Sequence, residues 1–86
     1  MVFMLTSEQR LSAIQRLGRA LSDPTRCRLL LALLEGPDYP AGLADRLGLT
    51  RQNVSNHLAC LRDCGLVSTH ARGRQVSYEL VDASLA

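Results

Sequence analysis

The sequence predicts a mainly α domain closed by a β-hairpin. Three observations predict it. Four stretches carry apolar residues at helical spacing and are separated by cap and breaker residues. Only about three residues, Gly48-Leu49-Thr50, separate the third stretch from the fourth. From Leu66 onward the pattern becomes alternating, as in strands.

Thr6 with Gln9 three residues later reads as a capping box, and Leu11, Ile14, Leu17 and Leu21 follow at helical spacing, so helix one is expected from about Ser7 to Leu21. Asp23-Pro24 restarts the chain with an N-cap and the residue favoured at the first helical position. Helix two is expected from Pro24 to about Glu35, ending at Gly36-Pro37. Asp38 and Tyr39 fall in the turn before a short third helix, Pro40 to Leu47, which Gly48 ends as C-cap. Thr50 caps a fourth helix that Gly65 terminates. Leu66 to His70 and Gln75 to Leu80 form the hairpin, with Ala71-Arg72-Gly73-Arg74 as its loop. Asp82 to Ala86 has the pattern of an N-cap and a first helical turn.

Together these elements predict a winged helix-turn-helix, with the helix-turn-helix over about 40–64 and the wing over about 66–81. In such a unit the second helix enters the major groove. Wound at about 100° per residue, the fourth helix has three faces. Val54, Leu58 and Leu61 make an apolar stripe for packing. Gln52, Ser55, Asn56 and Ala59 lie roughly opposite. The amides of Gln52 and Asn56 match adenine N6 and N7, and Ser55 suits a base edge or phosphate. Thr50 and Arg51 stand at the start of the helix, where a cation opposes the helix dipole and so suggests a phosphate nearby. Arg72 and Arg74 at the wing tip suit backbone or minor groove. The candidate DNA-binding residues are therefore Thr50, Arg51, Gln52, Ser55, Asn56, Arg72 and Arg74. Asn53, His57, Cys60 and Cys64 form the third face.

Composition agrees with one small domain over residues 1–86. Of its 86 residues 47% are hydrophobic, and Phe3, Tyr39 and Tyr78 are the only aromatics, which suits close-packed short helices. A chain this short gains stability by pairing, so a homo-oligomer is expected. The net charge of +2 comes from a balance in which every basic residue is Arg and none is Lys. Arg offers the planar fork that phosphate and guanine accept. No apolar run approaches the roughly 20 residues of a membrane span, and residues 1–5 lack the features of a secretion signal, so a cytoplasmic protein without membrane contact is expected. Three cysteines without such a signal argue against a disulfide scaffold. No nucleophile and base, phosphate loop or carboxylate pair stands at a usable spacing, so no enzymatic activity is expected.

DPTRCRLLLALLEG, GLADRLGLTRQNVSNHLACLRDCGLV and GRQVSYEL resemble the signature segments of the ArsR/SmtB winged-helix repressors, and the likeness covers nearly all of residues 11–81. The resemblance implies a homodimer, joined through its first and last helices, that represses by binding an operator palindrome and leaves it when a metal or other inducer binds. By that measure the chain is expected to lack the C-terminal dimerisation helix.

Cys60 and Cys64, at i and i+4, are about 40° apart around the helix and about 6 Å apart along it, so two thiolates there can converge on one soft cation. The pair resembles the cadmium- and lead-sensing branch of the family, whose ligands include two cysteines at these positions. That likeness implies Cd(II) or Pb(II) as inducer, with Zn(II) as a further candidate. The branch takes a third thiolate from beyond the wing. This sequence has no cysteine after Cys64, so either the chain continues past Ala86 or its third ligand differs. Cys27 is assigned to packing, His57 to packing or hydrogen bonding, and His70 to a solvated or strand-packed position.

Two other readings keep the fold and change the function. One makes the thiols a redox switch, which would distort the helix because the Cβ vectors of an i, i+4 pair run nearly parallel. The other is a winged helix used for protein contact alone. It predicts no duplex affinity and little dependence on salt.

Overall fold

The computed structural model describes residues 6–81. They form α1 (Ser7–Leu21), α2 (Pro24–Leu33), α3 (Pro40–Leu47) and α4 (Arg51–Asp63), followed by the antiparallel strands β1 (Val67–Arg72) and β2 (Gln75–Leu80). The helix expected to begin at Asp82 lies outside the described residues.

Helix α1 opens with the expected capping box: Thr6 Oγ1 accepts the Gln9 N–H at 3.0 Å and the Thr6 N–H donates to Gln9 Oε1 at 2.8 Å. Its far end is capped by α2. The Arg26 guanidinium donates to the carbonyls of Ala20 and Arg19, each at 2.9 Å, and the Cys27 thiol donates to that of Leu21 at 3.1 Å. The last carbonyls of a helix lack partners four residues on, and a cation there also complements the dipole; that of Arg19 accepts the Ser22 hydroxyl at 2.8 Å as well. Asp23 starts α2 by accepting the N–H groups of Thr25 at 2.8 Å and Arg26 at 3.1 Å. The bond from the Arg26 backbone is the main reason its carboxyl sits below the ordinary carboxylate value.

Helix α2 ends at Leu33, two residues before the expected Glu35. The N–H groups of Glu35 and Gly36 turn back to the carbonyls of Ala32 and Leu33, both at 3.1 Å, and Gly36 takes φ +136°, which no helix continues. Gly48 ends α3 in the left-handed conformation (φ 68°, ψ 36°), and the Leu49 N–H reaches the Ala44 carbonyl at 2.9 Å.

The core lies where α2, α3 and α4 converge under the hairpin. Leu29, Leu43, Val54, Leu58 and Leu61 are fully buried, so the expected packing stripe of α4 is its core face. Truncating one of these leucines to alanine costs about 2–5 kcal/mol. Helix α1 contributes only Ala20 to this core, while Leu11, Ile14, Leu17 and Leu21 remain exposed.

Two expectations for the hairpin region need correction. The strands zip from Val67↔Leu80 to Arg72↔Gln75, leaving a two-residue turn, Gly73-Arg74, in place of the expected four-residue loop. Gly73 at φ +63° supplies the positive φ that a type II′ hairpin needs at its first central position, so pairing continues through Ala71 and Arg72. Leu66 lies outside β1. Its N–H bonds the Leu61 carbonyl at 3.0 Å, and its own carbonyl accepts the Val81 N–H at 3.1 Å. The second correction concerns Asp38, which is more than a turn residue. It forms an antiparallel bridge with Tyr78, exchanging N–H to carbonyl bonds of 3.0 and 2.8 Å, and so ties the start of α3 to the wing.

Candidate nucleic-acid interface and thiol pocket

The residues expected to meet DNA occupy the exposed side of α4 and the wing. Thr50 caps α4, its hydroxyl accepting the Asn53 N–H at 3.0 Å. Gln52, Ser55 and Asn56 are exposed, and Gln52 Nε2 donates to Asn56 Oδ1 at 3.0 Å. That i, i+4 bond aligns the two amides and leaves Gln52 Oε1 and Asn56 Nδ2 for an outside partner.

Arg51 and Arg74 line one groove of about 210 Å³ between the starts of α3 and α4 and the wing. Arg72, in register with Gln75 at the end of β1, is exposed but does not line it. Among the described residues Arg51, Arg72 and Arg74 form no ion pair, whereas Arg46 binds Glu35 at 2.7 Å and Asp38 at 2.9 Å. Their charge is therefore available to an external anion. Tyr39, Gln75 and Tyr78 share the groove, which sequence reasoning missed. The Asp38–Tyr78 bridge that brings them together spans 40 residues of sequence, and local pattern carries no signal for it.

Cys60 and Cys64 share a second pocket, of about 280 Å³, with Asp63 of α4 and with Arg16 and Arg19 of α1. Cys64 is the C-cap of α4, and its thiol points to the Arg16 carbonyl at 3.8 Å, a weak sulfur donor contact. Burial pushes the Cys64 thiol above its ordinary value, and the Cys60 thiol beside it adds to the shift, while Arg16 and Arg26 pull it back. Two sulfur donors on adjacent turns suit a soft cation far better than a hard one. Among the described residues no third His, Cys, Asp or Glu joins them in a group able to hold a metal ion.

The remaining donors follow the expected assignments. His57 turns its Nδ1 to the Arg26 guanidinium at 3.3 Å. Cys27 is half-buried and borders an apolar pocket of about 470 Å³ with Leu30, Leu31, Leu34, Leu66, Leu80 and Val81. His70 pairs with Glu79 across the hairpin. No helix among the described residues is long and apolar enough to cross a membrane.

Residues 23–69, which include α2 to α4, match the family model described as bacterial regulatory protein, arsR family. The chain is 66% identical over 83 residues to the HTH-type transcriptional regulator CmtR of Mycobacterium tuberculosis, covering 96% of this chain and 70% of the relative. It is 41% identical over 71 residues to the probable mercury resistance operon repressor of Streptomyces lividans, covering 83% of this chain and 57% of that protein. The solution structure of the cadmium metal-sensor CMTR from Mycobacterium tuberculosis superimposes with a TM-score of 0.70, covering 83% of this chain and 74% of that one. A homodimeric winged helix-turn-helix DNA-binding domain from Mycobacterium bovis, 22% identical, shares the fold with a TM-score of 0.83 over 98% of this chain and 80% of that one. With a helix-turn-helix, a hairpin wing and this match across more than half its length, the chain belongs to the arsR family of bacterial transcriptional regulators, which are DNA-binding proteins and not enzymes.

Proposed function

We propose that this chain is a metal-responsive repressor of the cytoplasm: as a homodimer it binds operator DNA through α4 and the wing, and it leaves the operator when Cys60 and Cys64 take up a soft divalent cation such as Cd(II). One observation carries the reading. The thiol pair sits on the DNA-reading helix itself, on the side turned toward α1, so ligation acts on the same backbone that presents Gln52, Ser55 and Asn56. The names of the cadmium sensor and the mercury resistance repressor support a soft metal. Pb(II) and Zn(II) are also accepted by thiolate donors.

Gln52 and Asn56 read adenine edges, Ser55 reaches a base edge or phosphate, and Thr50 fixes the start of α4. Arg51 and Arg74 hold one stretch of phosphate backbone in their groove, and Arg72 meets the backbone beside it. The exposed stripe of Leu11, Ile14, Leu17 and Leu21 pairs α1 with a second copy, since apolar residues on one face of an otherwise polar helix call for a partner. A bound cation would supply charge and directed bonds that hold the two thiolates together. Cys60 and Cys64 would provide two of its donors.

The reading is tested by titrating Cd(II) into wild type and Cys60→Ser while recording thiolate-to-metal ultraviolet absorption. Wild type is expected to develop the band and the variant to lose most of it. An unchanged band in the variant removes Cys60 from the site.

A further inference from the structure

The Arg26 side chain spans the join between α1 and the DNA-reading helix. Its guanidinium donates to the Ala20 and Arg19 carbonyls at the end of α1, each at 2.9 Å, and its third nitrogen lies 3.3 Å from His57 Nδ1 in the middle of α4. An arginine can only donate, so His57 accepts at Nδ1 and carries its hydrogen on Nε2. Asp23 accepts the backbone N–H of Arg26 at 3.1 Å, which fixes the base of that side chain in the first turn of α2. The only other polar link between the two helices among the described residues is the 3.8 Å contact of Cys64 with Arg16. Apolar packing at this join is slight, since α1 buries Ala20 alone.

We propose that Arg26 is a positioning residue for operator binding, and that its contact with His57 is the latch that holds the DNA-reading helix in register with α1. Two DNA-reading helices in a dimer must meet half-sites about one helical turn apart, so their angle to the α1 dimer face decides affinity. The latch sets that angle. The inference rests on the proposed reading only in placing α1 at the dimer face and α4 in the groove.

The test compares His57→Phe, which keeps the bulk and removes the acceptor, with His57→Gln, which restores an acceptor oxygen. Each is assayed at temperatures where it is fully folded, on a duplex selected by the wild-type protein from random sequence. His57→Phe is expected to bind the duplex about tenfold more weakly, the loss of one hydrogen bond to a charged group, and to exchange the amides of residues 16–22 faster. His57→Gln should recover to within about threefold of wild type in both readouts. Arg26→Lys, whose ammonium cannot fork to three acceptors, serves where His57→Phe does not fold and should show the same loss. Equal affinity and exchange in the Phe and Gln variants, or in Arg26→Lys and wild type, overturn the latch. The Cd(II) band should be unchanged in His57→Phe. Its loss there would make His57 a ligand and would also overturn the proposal. Failure of wild type to bind Cd(II) sinks the metal reading alone, because the duplex and exchange measurements judge the latch without metal.

Discussion

The Asp38 carboxylate occupies the space in which a side chain on residue 42 would begin: a Cβ at Gly42 would stand 2.3 Å from Asp38 Oδ1. That oxygen cannot swing away freely, because it accepts the Tyr39 N–H at 2.7 Å and its partner oxygen is held by Arg46 at 2.9 Å. Gly42→Ala should therefore destabilise the fold by about 1–3 kcal/mol, although alanine is the better helix former. In an Asp38→Ala background the sign should reverse, with alanine at 42 stabilising by up to about 1 kcal/mol. Urea unfolding of the four members of the cycle measures both values.

Arg51 and Arg74 face the same groove without ion-pair partners among the described residues. Arg51→Ala and Arg74→Ala should each weaken duplex binding for any sequence and lower the slope of log affinity against log salt by about 1. Gln52→Ala and Asn56→Ala should instead cost about 1–3 kcal/mol at particular base pairs and leave the slope unchanged. Fluorescence anisotropy over a range of salt concentrations separates the two behaviours.

Ile14 and Leu17 stand on the exposed face of α1. Ile14→Glu and Leu17→Glu should convert a dimer to monomer at micromolar concentration, read by sedimentation velocity, and should weaken operator binding with it. A Leu58→Glu change would not serve, since Leu58 is in the core and the variant would unfold.

The raised proton affinity of Cys64 gives metal uptake a defined pH dependence. Uptake displaces the thiol proton, so apparent Cd(II) affinity should rise with pH by about tenfold per unit for each proton released. Cys64→Ser should lower the slope by one proton. The sign for folding is opposite. A thiol whose folded value lies above its unfolded value adds stability below the ordinary thiol range and loses it as pH rises through the folded value. Metal-free wild type should therefore lose stability at alkaline pH more than Cys64→Ser does.

Much of this fold was legible because its signals are local. Thr6 with Gln9, Asp23-Pro24, Gly48 and Thr50 each act within four residues, and each caps the helix expected of it. The stripe of Val54, Leu58 and Leu61 was legible for the same reason, being set by helical period alone. Asp38 was misread because its partner Tyr78 lies at the other end of the domain, and a bridge between them leaves no local pattern. The turn at Gly73 was misread because positive φ at one glycine decides between two and four loop residues, a choice that composition does not record. The alignment of Cys60 with Cys64 followed from their spacing. That Arg16 and Arg19 of α1 face them did not.

The central claim is that Cys60 and Cys64 govern the hold of α4 on DNA, and operator release measures it most directly. Anisotropy of a labelled duplex should show Cd(II) weakening wild-type binding about 5- to 150-fold, a coupling of about 1–3 kcal/mol. The Cys60→Ser/Cys64→Ser protein should bind the same duplex with affinity that Cd(II) changes by less than about twofold. Wild-type affinity that Cd(II) leaves unchanged, or release of the double variant to the same extent, would contradict the account.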